Sequence, residues 1–384
     1  MAAKAFDVDA LLDSAQIIVC CGAGGVGKTT TAAALALRGA ERGRKVCVLT
    51  IDPARRLAQS MGLTELDNTP RAVAEIDTSA GGSLDAMMLD MKRTFDEIVE
   101  THSDPDRAKA ILSNPFYVSL SSSFAGTQEY MAMEKLGQLK AASNWDLIVV
   151  DTPPSRSALD FLDAPQRLGR FLDGRMIRML TAPARAGGRA YLKVFTIGVK
   201  VFTDVLNKVL GGQALKDLSL FVASLETMFG GFRERADETY KLLKEGGTSF
   251  IVVAVPERDA LREAAYFVER LETEHMPLAG VVLNRVHSSA ASNLSVEKSL
   301  AAAEALDESG EEPLTAAVLR VHADRLAVAG RDGRRAAQFR SAHPRVGVVE
   351  VAAQSSDVHD LEGLREIGSE LSNGPSASAP KIAG

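Results

Sequence analysis

Residues 22–30 of the chain have the sequence G-A-G-G-V-G-K-T-T, which matches the phosphate-binding pattern G-x-x-x-x-G-K-[ST]. The apolar run 17–21 precedes this loop, and the Ala-rich run 31–37 follows it. The first run predicts a buried strand and the second a helix, which is the context that a phosphate-binding loop requires. The alternative is an ordinary Gly-rich turn that caps a helix. The pattern predicts that the chain binds a nucleoside triphosphate.

The residue types in this loop fit the chemistry of a triphosphate. Glycines let the backbone curl so that successive N–H groups point at one anion, and the helix N-terminus adds partial positive charge. The Lys28 side chain is expected to reach the β- and γ-phosphates as a catalytic group, and the Thr29 hydroxyl to hold magnesium. The predicted nucleotide-binding residues are Gly22, Gly24, Gly25, Val26, Gly27, Lys28, Thr29 and Thr30.

Two aspartates follow predicted strands and are candidates for catalysis and metal binding. Asp151 closes the apolar strand 145–150, at a position where an acidic group holds magnesium directly or through water. Asp52 ends the strand 45–51, beside the nucleotide crevice at the carboxyl ends of the strands. We expect its carboxylate to orient and deprotonate the attacking water. The alternative for Asp52 is a cap or turn residue before Pro53.

Strands and helices alternate along the chain except within 165–248, where amphipathic segments without a convincing strand predict an all-helical subdomain. The predicted fold is therefore an α/β phosphate-loop NTPase with a mostly parallel sheet, flanked by helices and interrupted by this insert. The expected divisions are an ATPase domain at 1–164 and 249–371, the insert at 165–248 and a disordered tail at 372–384.

Two helices are predicted from apolar spacing alone. Residues 83–102 place leucine, methionine, phenylalanine and isoleucine side chains at helical intervals, so we expect one helix over that range. Residues 314–343 are predicted to be helical with a break near Gly330 and Gly333.

Composition limits the class of protein. The 384 residues are 46% hydrophobic and 24% charged, as in a globular protein with a substantial core. The formal net charge of −6 disfavours nucleic-acid binding, which would need a basic face. Residues 1–14 are acidic and do not resemble a signal peptide, and no run of 18 apolar residues occurs. We therefore expect a cytoplasmic protein, with peripheral membrane attachment as a further option.

Three segments together resemble one known family. They are V-C-C-G-A-G-G-V-G-K-T-T-T-A at 19–32, T-I-D-P-A-R-R-L-A at 50–58 and L-I-V-V-D-T-P-P-S at 147–155. The chain is similar in these segments to the arsenite-pump and tail-anchored-protein-targeting ATPases, which belong to the deviant phosphate-loop class. The resemblance extends to V-A-V-P-E at 253–257, to G-V-V-L-N-R at 280–285 and to D-V-H-D-L-E-G-L at 357–364.

The resemblance implies an ATPase that uses ATP and Mg²⁺. By this resemblance Lys28 and Thr29 match the phosphate and magnesium contacts. Asp52 matches the water-activating aspartate of the first switch segment, and Asp151 matches the aspartate of the second switch segment. Asn284 matches the asparagine that reads the adenine edge, with the loop after Val351 closing over the base. The family works as ATP-gated dimers in which hydrolysis reshapes the helical subdomains.

The chain departs from the family pattern at three places. The family's loop usually carries a lysine at the position of Ala23, and that lysine reaches into the partner subunit's nucleotide site. Gln59 replaces the second aspartate of the first switch, and Arg156 with Ser157 replaces a Gly-His pair of the second. A homodimer would lack both trans lysines, and a well-placed cation is worth about 10³-fold or more in phosphoryl transfer.

These departures leave several alternatives open. The chain is either a slow ATPase by itself or one subunit of a heterodimer with a paralogue that supplies the lysine, unless Arg55 or Arg56 substitutes for it. Cys20, Cys21 and Cys47 all lie in predicted strands, so the zinc and metalloid cysteines of the two family branches are missing and arsenite sensing is doubtful.

The predicted insert is the candidate effector surface. Between 167 and 200 it carries eight basic residues against one acid, Asp173, interleaved with apolar side chains. Such a surface would suit an anionic membrane or an acidic partner, and the alternative is a solvated basic face. The apolar helices at 191–229 would suit a hydrophobic protein client, or they pack against one another.

Two hypotheses follow for the function. The first is a dimeric ATPase that couples its nucleotide state to a protein or membrane partner through the helical insert. The second is a weakly active regulatory subunit of a heterodimer. A partition-type ATPase on DNA is disfavoured by the net charge, and no nucleic-acid partner is expected.

Overall fold

The computed structural model describes residues 6–52, 56–115, 117–118, 127–153, 234–235, 237–289, 291, 294–310 and 312–373. Most of the predicted helical insert lies outside the described residues, and so does the predicted tail beyond Asn373. Arg55, Arg156 and Ser157 lie outside them as well.

The described strands form one eight-stranded sheet in the order β3-β4-β2-β5-β1-β6-β7-β8. Neighbouring strands run parallel except for the pair β3 and β4. The predicted, mostly parallel sheet is therefore confirmed. The strands are β1 (Ile17–Gly22), β2 (Lys45–Thr50), β3 (Arg71–Ala72), β4 (Ser83–Met88), β5 (Leu147–Asp151), β6 (Thr248–Ala254), β7 (Leu278–Val286) and β8 (Val348–Ala352).

Ten helices are described in full. They are α1 (Val8–Ser14), α2 (Lys28–Glu41), α3 (Arg56–Ser60), α4 (Met91–His102), α5 (Pro105–Leu112), α6 (Thr127–Ala142), α7 (Arg258–Thr273), α8 (Val296–Ser309), α9 (Pro313–Ala342) and α10 (Leu361–Asn373). The crossovers between parallel strands require such helices, because a short hairpin cannot connect parallel neighbours.

The central strands are buried on both faces. Ile18 and Val48 belong to a core cluster that includes residues of α1, α2 and α10. Ile17 and Leu49 point to the opposite face and are also fully buried. This explains why the strand sequences are continuous apolar runs with no polar alternation.

The order of the strands sets the position of the loops. β1 lies at the centre between β5 and β6, and β2 lies beside β5. Because these strands are parallel, the loops that follow them emerge at one edge of the sheet. Ligands in open α/β sheets bind outside this carboxyl edge.

The prediction of one helix over 83–102 is wrong. The range begins with strand β4, which pairs parallel with β2 from Ser83↔Lys45 to Met88↔Thr50, and α4 begins only at Met91. The Asp90 side chain caps this helix by accepting a hydrogen bond from the Arg93 backbone N–H at 2.9 Å. Apolar spacing over β4 fits both periods, and strand pairing decides between them.

Two other local features differ from the sequence expectations. Helix α9 continues without a break through Gly330 and Gly333, so the predicted interruption is wrong. Helix α1 was not predicted; its N-terminus is capped by Asp7, whose carboxylate accepts from the Ala10 N–H at 3.0 Å.

Contacts divide the described residues into two compact units. Those within 6–88, 143–153 and 243–373 form the first unit, which holds the whole sheet. Those within 89–142 and 234–242 form the second. Inside the second unit, Lys135 Nζ lies 2.8 Å from Glu97 Oε2, which pairs α4 with α6. Within the described part of the chain, no helix has the length and hydropathy needed to cross a bilayer.

Candidate functional site

The phosphate-binding loop joins β1 to α2 and its geometry depends on glycine. Gly22 has φ +150° and Gly27 has φ +92°. A Cβ at Gly22 would collide with the Val253 carbonyl, and one at Gly27 would collide with the Asn284 side chain. Both positions therefore require glycine.

Lys28 is the first residue of α2 and is almost entirely buried. Its Nζ donates a 2.8 Å hydrogen bond to the Ala23 carbonyl, so the side chain folds back across the mouth of the loop. Burial lowers the pKa of Lys28, and the nearby Asp151 carboxylate opposes that shift. The loop thus presents a desolvated cation beside a helix N-terminus, which is a favourable environment for an anion.

Asp151, the last residue of β5, links the ends of β1, β2 and β5 through hydrogen bonds. β5 lies between β1 and β2, and the register places Asp151 opposite Cys20 on one side and Thr50 on the other. Its Oδ2 accepts a 2.8 Å hydrogen bond from the Thr29 hydroxyl and a 2.9 Å hydrogen bond from the Thr50 hydroxyl. The sequence-predicted pair Thr29 and Asp151 is therefore in direct contact.

The other oxygen of Asp151 has no hydrogen-bond partner among the described residues. Asp151 Oδ1 is buried and accepts no hydrogen bond from that part of the chain. Burial raises the pKa of the Asp151 carboxyl to about 6, although the Thr29 and Thr50 hydroxyls and Lys28 all favour the charged form. A buried carboxylate oxygen without a partner is costly, so this group has capacity for a further ligand.

The residues here fit a magnesium ion. Mg²⁺ prefers hard oxygen ligands and retains several waters, so one carboxylate and one hydroxyl suffice on the protein side. Asp151 and Thr29 supply that pair at the edge of the phosphate loop. The unsatisfied Asp151 Oδ1 is the specific observation that a cation would explain.

Asp52 lies at the end of β2, close to this pair. Its backbone N–H donates to the Thr50 hydroxyl at 3.2 Å, which fixes the start of the following segment. Asp52 is half-buried and interacts electrostatically with Lys28. The structure thus brings Asp52, Lys28 and Asp151 to the same edge of the sheet.

A cavity of about 930 Å³ extends from the phosphate loop along the carboxyl edge of the sheet. Gly27, Thr29 and Thr30 form one end, and Asn284 with residues 352–359 lies along the rest. The segment predicted to close over a base therefore does line this cavity.

Asn284 lies at the carboxyl end of β7 and lines the cavity, but its amide also contacts protein. Nδ2 donates to the Val26 carbonyl at 2.9 Å, and Oδ1 accepts from the Arg285 N–H at 2.9 Å. Asn284 thus braces the phosphate loop. Its assignment as the reader of the adenine edge stays a prediction.

The loop after β8 is held in place by α10. Glu370 accepts from the Ala352 N–H at 2.7 Å and from the Gln354 side-chain amide at 3.2 Å. The Ala353 N–H also donates to the Val286 carbonyl at 3.0 Å. These contacts fix the far wall of the cavity relative to β7.

Sequence reasoning missed several residues of this site. Thr50 shares Asp151 with Thr29, and the Thr152 hydroxyl donates to the Cys20 carbonyl at 2.8 Å. His287 lines the cavity three positions after Asn284. Thr50 was detectable as the polar end of an apolar strand, whereas His287 carried no local signal. Gln59, noted above as a departure from the family pattern, also lines the cavity.

A strand–loop–helix unit with a buried lysine, at the carboxyl edge of a parallel sheet, defines a phosphate-loop NTPase fold. Beyond this class, the chain belongs to the anion-transporting ATPase family, whose model matches residues 15–306. The family resemblance inferred from the motifs is therefore confirmed.

Curated relatives agree with this assignment. Protein Rv2184c of Mycobacterium tuberculosis is 31% identical over 219 residues, covering 52% of this chain and 50% of the relative. The ATPase ASNA1 homolog of Cryptosporidium parvum is 24% identical over 265 residues, covering 69% and 63%. ATPase GET3 of Malassezia globosa is 26% identical over 274 residues, covering 71% and 73%. The chain thus matches half the length of the first relative and under two thirds of the second.

Proposed function

We propose that this chain binds ATP with Mg²⁺ and hydrolyses it to ADP and phosphate. The observation that carries the proposal is the arrangement at Asp151. Its Oδ2 accepts a hydrogen bond from Thr29, its Oδ1 is buried without a partner among the described residues, and the buried Lys28 lies nearby. A magnesium-bound triphosphate would compensate both buried charges at once.

Each residue of the phosphate loop has a role in this proposal. The backbone N–H groups of the loop bind the phosphate oxygens, and Lys28 exchanges its bond to the Ala23 carbonyl for the β- and γ-phosphates. Thr29 and Asp151 hold magnesium, which neutralises charge on the phosphates when it is bound. The nucleoside extends along the cavity toward Asn284 and 352–359.

Asp52 is the proposed base for the attacking water. It follows β2 at the edge where the γ-phosphate would lie, and Thr50 fixes its backbone. A carboxylate at this position orients a water and accepts its proton as the phosphoryl group is transferred. Lys28 meanwhile stabilises charge on the transferred group.

The wider activity is inferred from the family. We propose that the chain acts as a dimer and couples nucleotide state to a protein or membrane partner. The proposed insert and its basic surface would supply the contact, and those segments lie outside the described residues. The names of two relatives describe ATPases, which supports the nucleotide assignment for this chain.

Ala23 favours a second candidate function. Its methyl group is buried within the loop, and the position supplies only a backbone carbonyl to Lys28. An alanine supplies no cation to a facing subunit. The second candidate is therefore a weakly active regulatory subunit, paired with a paralogue that contributes the lysine.

Substitution of Asp52 tests the hydrolytic proposal. Asp52→Asn should leave Mg·ATP affinity unchanged and lower turnover by about 10²-fold or more, because the water loses its base. Binding is measured by calorimetry and turnover by phosphate release. Asp106→Asn, on the exposed surface of α5, is the matched control and should match the wild type. Equal loss of binding and turnover in Asp52→Asn would contradict the assigned role.

Mixing experiments separate the two candidates. Turnover of the purified chain is compared with turnover after addition of its nearest paralogue. An increase of about 10³-fold only on mixing supports the regulatory subunit, because a trans cation is worth that much. Full activity of the single chain supports the self-sufficient ATPase. No binding of Mg·ATP or Mg·ADP to the folded chain would overturn both.

A further inference from the structure

Two ring side chains line the nucleotide cavity, those of His287 and His359. The seventeen residues that line this described cavity include no phenylalanine, tyrosine or tryptophan. His359 belongs to the exposed loop after β8, and its Nδ1 lies 2.8 Å from the Asp357 carbonyl within the same loop. His287 follows β7 and is held from outside its own loop.

A buried carboxylate holds His287. Asp332, on helix α9, is only 5% exposed, and its Oδ2 lies 2.8 Å from His287 Nδ1. The same oxygen accepts from the His287 backbone N–H at 3.2 Å. Because a carboxylate only accepts hydrogen bonds, Nδ1 carries the hydrogen in this pair. The ring is thereby oriented, and its Nε2 makes no hydrogen bond to the residues that the structure describes.

His287 lies farther along the cavity than the residues that contact the phosphate loop. Asn284, near the end of β7, contacts the loop directly, with its Nδ2 2.9 Å from the Val26 carbonyl. His287 follows three residues later and lines the same cavity together with residues 352–359. A nucleotide whose phosphates lie at the loop would extend its nucleoside along this lining.

We infer that His287 contacts the nucleoside of the bound nucleotide and that Asp332 is its positioning residue. The inference rests on the proposed function, since it names a further binding residue of the same site. The imidazole offers Nε2 to a hydroxyl or amino group, or its face to the base. Bases stack on histidine as on other aromatic rings.

The pair also ties the nucleotide cavity to α9. On that helix, Arg335 donates to the Pro256 carbonyl at 2.9 Å, and Ala336 and Phe339 are buried. Asp332 therefore belongs to the half of α9 that is fixed in the domain. A fixed carboxylate is what a positioning residue requires, because the ring it holds then keeps one orientation.

Two ligands separate the nucleoside from the phosphates. Magnesium tripolyphosphate has no nucleoside and needs only the phosphate loop, whereas Mg·ADP needs both ends of the cavity. Calorimetry with both ligands is carried out on the full chain and on His287→Ala and Asp332→Asn. His322→Ala is the matched control, because His322 lies on α9 with its Nε2 near the Leu294 carbonyl and does not line the cavity.

His287→Ala should weaken Mg·ADP binding by about 10-fold, the value of one good hydrogen bond or stacking contact. Asp332→Asn should weaken it by about 3-fold, because the ring keeps a weaker partner. Both variants should bind magnesium tripolyphosphate as the wild type does, which also reports that the loop is folded. His322→Ala should bind both ligands normally.

The outcomes distinguish the role inferred for His287 from the nucleotide binding proposed for the chain. Wild-type affinity of His287→Ala for Mg·ADP would overturn the inference and leave the proposed function standing. Equal loss of both ligands in Asp332→Asn would also overturn it, since that pattern means a structural role. Failure of the wild-type chain to bind either ligand would instead remove the proposed function.

Discussion

Side chains of opposite charge link strands β1, β2 and β5 at the two edges of the sheet, where the strands begin and where they end. At the amino edge, Arg44 donates to the carbonyls of Leu12, Ala15 and Asp146, which precede β1 and β5. At the carboxyl edge, Asp151 accepts from Thr29 and Thr50, which follow β1 and end β2. A cation joins the strands at one edge and an anion at the other.

The two edges differ in how well their charges are satisfied. Arg44 binds three carbonyls, and the Asp146 carboxylate accepts from the Lys45 N–H at 2.9 Å. Asp151 keeps a buried oxygen that has no partner in the described part of the chain, and burial raises the pKa of its carboxyl. Ligand sites commonly carry such unfavourable features, since binding relieves them. The amino edge therefore contributes stability, and the carboxyl edge retains capacity for a ligand.

The largest expected effect comes from Lys28 at the carboxyl edge. Lys28→Ala should lower Mg·ATP affinity by about 10³-fold, because a desolvated cation on the phosphates is lost. Calorimetry measures the affinity. Lys45→Ala at the amino edge removes an exposed lysine and is the matched control, with affinity expected to stay as in the wild type. Equal Mg·ATP affinities for the two variants would contradict the inference that only the carboxyl edge binds the phosphates.

Arg44 should matter for stability alone. Arg44→Ala leaves three carbonyls without this donor and should lower the free energy of unfolding by about 3 kcal/mol. Denaturant unfolding measures the change. The folded variant should bind Mg·ATP normally, because Arg44 lies at the opposite edge. Arg42→Ala, which removes partly exposed ion pairs with Asp9 and Asp13, should cost about 1 kcal/mol or less.

Asp151 should have the opposite effect on the unliganded protein. Its pKa is about 6 in the folded chain and near 3.8 when unfolded, so the charged form is disfavoured by folding. The neutral Asp151 carboxyl therefore contributes to the free energy of unfolding below pH 4, and this contribution is lost as the pH rises through 6. Asp151→Asn should therefore be more stable than the wild type by about 3 kcal/mol at pH 7.5, and by little at pH 4.

Thermal unfolding across this pH range measures that difference. With saturating Mg·ADP the wild type should become more stable than Asp151→Asn, because only the wild type keeps the carboxylate that the ligand compensates. Asp146→Asn at the amino edge is the control and should show no stabilisation at pH 7.5. A destabilised Asp151→Asn at every pH would show that the carboxylate is structurally needed without ligand.

The smallest expected effect concerns Asp9, which pairs α1 with α2. A hydrogen bond from Arg38 lowers the pKa of Asp9 to about 2. Its stabilisation is present above pH 4 and is lost as the pH falls through 2. Because the pair is partly exposed, Asp9→Asn should cost about 1 kcal/mol at pH 7 and nothing at pH 2. Chemical unfolding at both pH values tests this, with the more exposed Asp13→Asn for comparison.

The phosphate loop and the contact between Thr29 and Asp151 could be predicted from the sequence because their signals are local. A fixed spacing of glycine, lysine and threonine between a strand and a helix suffices for the loop. An acid at the end of an apolar strand suggested Asp151, and parallel pairing then brought it to Thr29. Asp52 was predicted in the same way and lies at the same edge, and its role stays a prediction.

Where periodicity was ambiguous, the sequence misled. Leu84, Met87 and Met91 fit helical spacing, but residues 83–88 pair with β2 as a strand. The gain from joining a growing parallel sheet outweighs the local preference for a helix. The break expected at Gly330 and Gly333 is likewise absent, since the glycine penalty of about 1 kcal/mol each is offset by packing of α9.

The sequence by itself determined the class of fold, the phosphate loop and the family, because these depend on motifs of contiguous residues and on strand–helix alternation. Only the tertiary structure decided which polar atoms remain unsatisfied and which distant residues meet. Asp151 Oδ1 lacks a partner within the ranges that the structure describes, and His287 contacts Asp332, 45 positions away. Such facts depend on strand order and on the path of a long helix, since contacts between distant segments leave no local pattern in the chain.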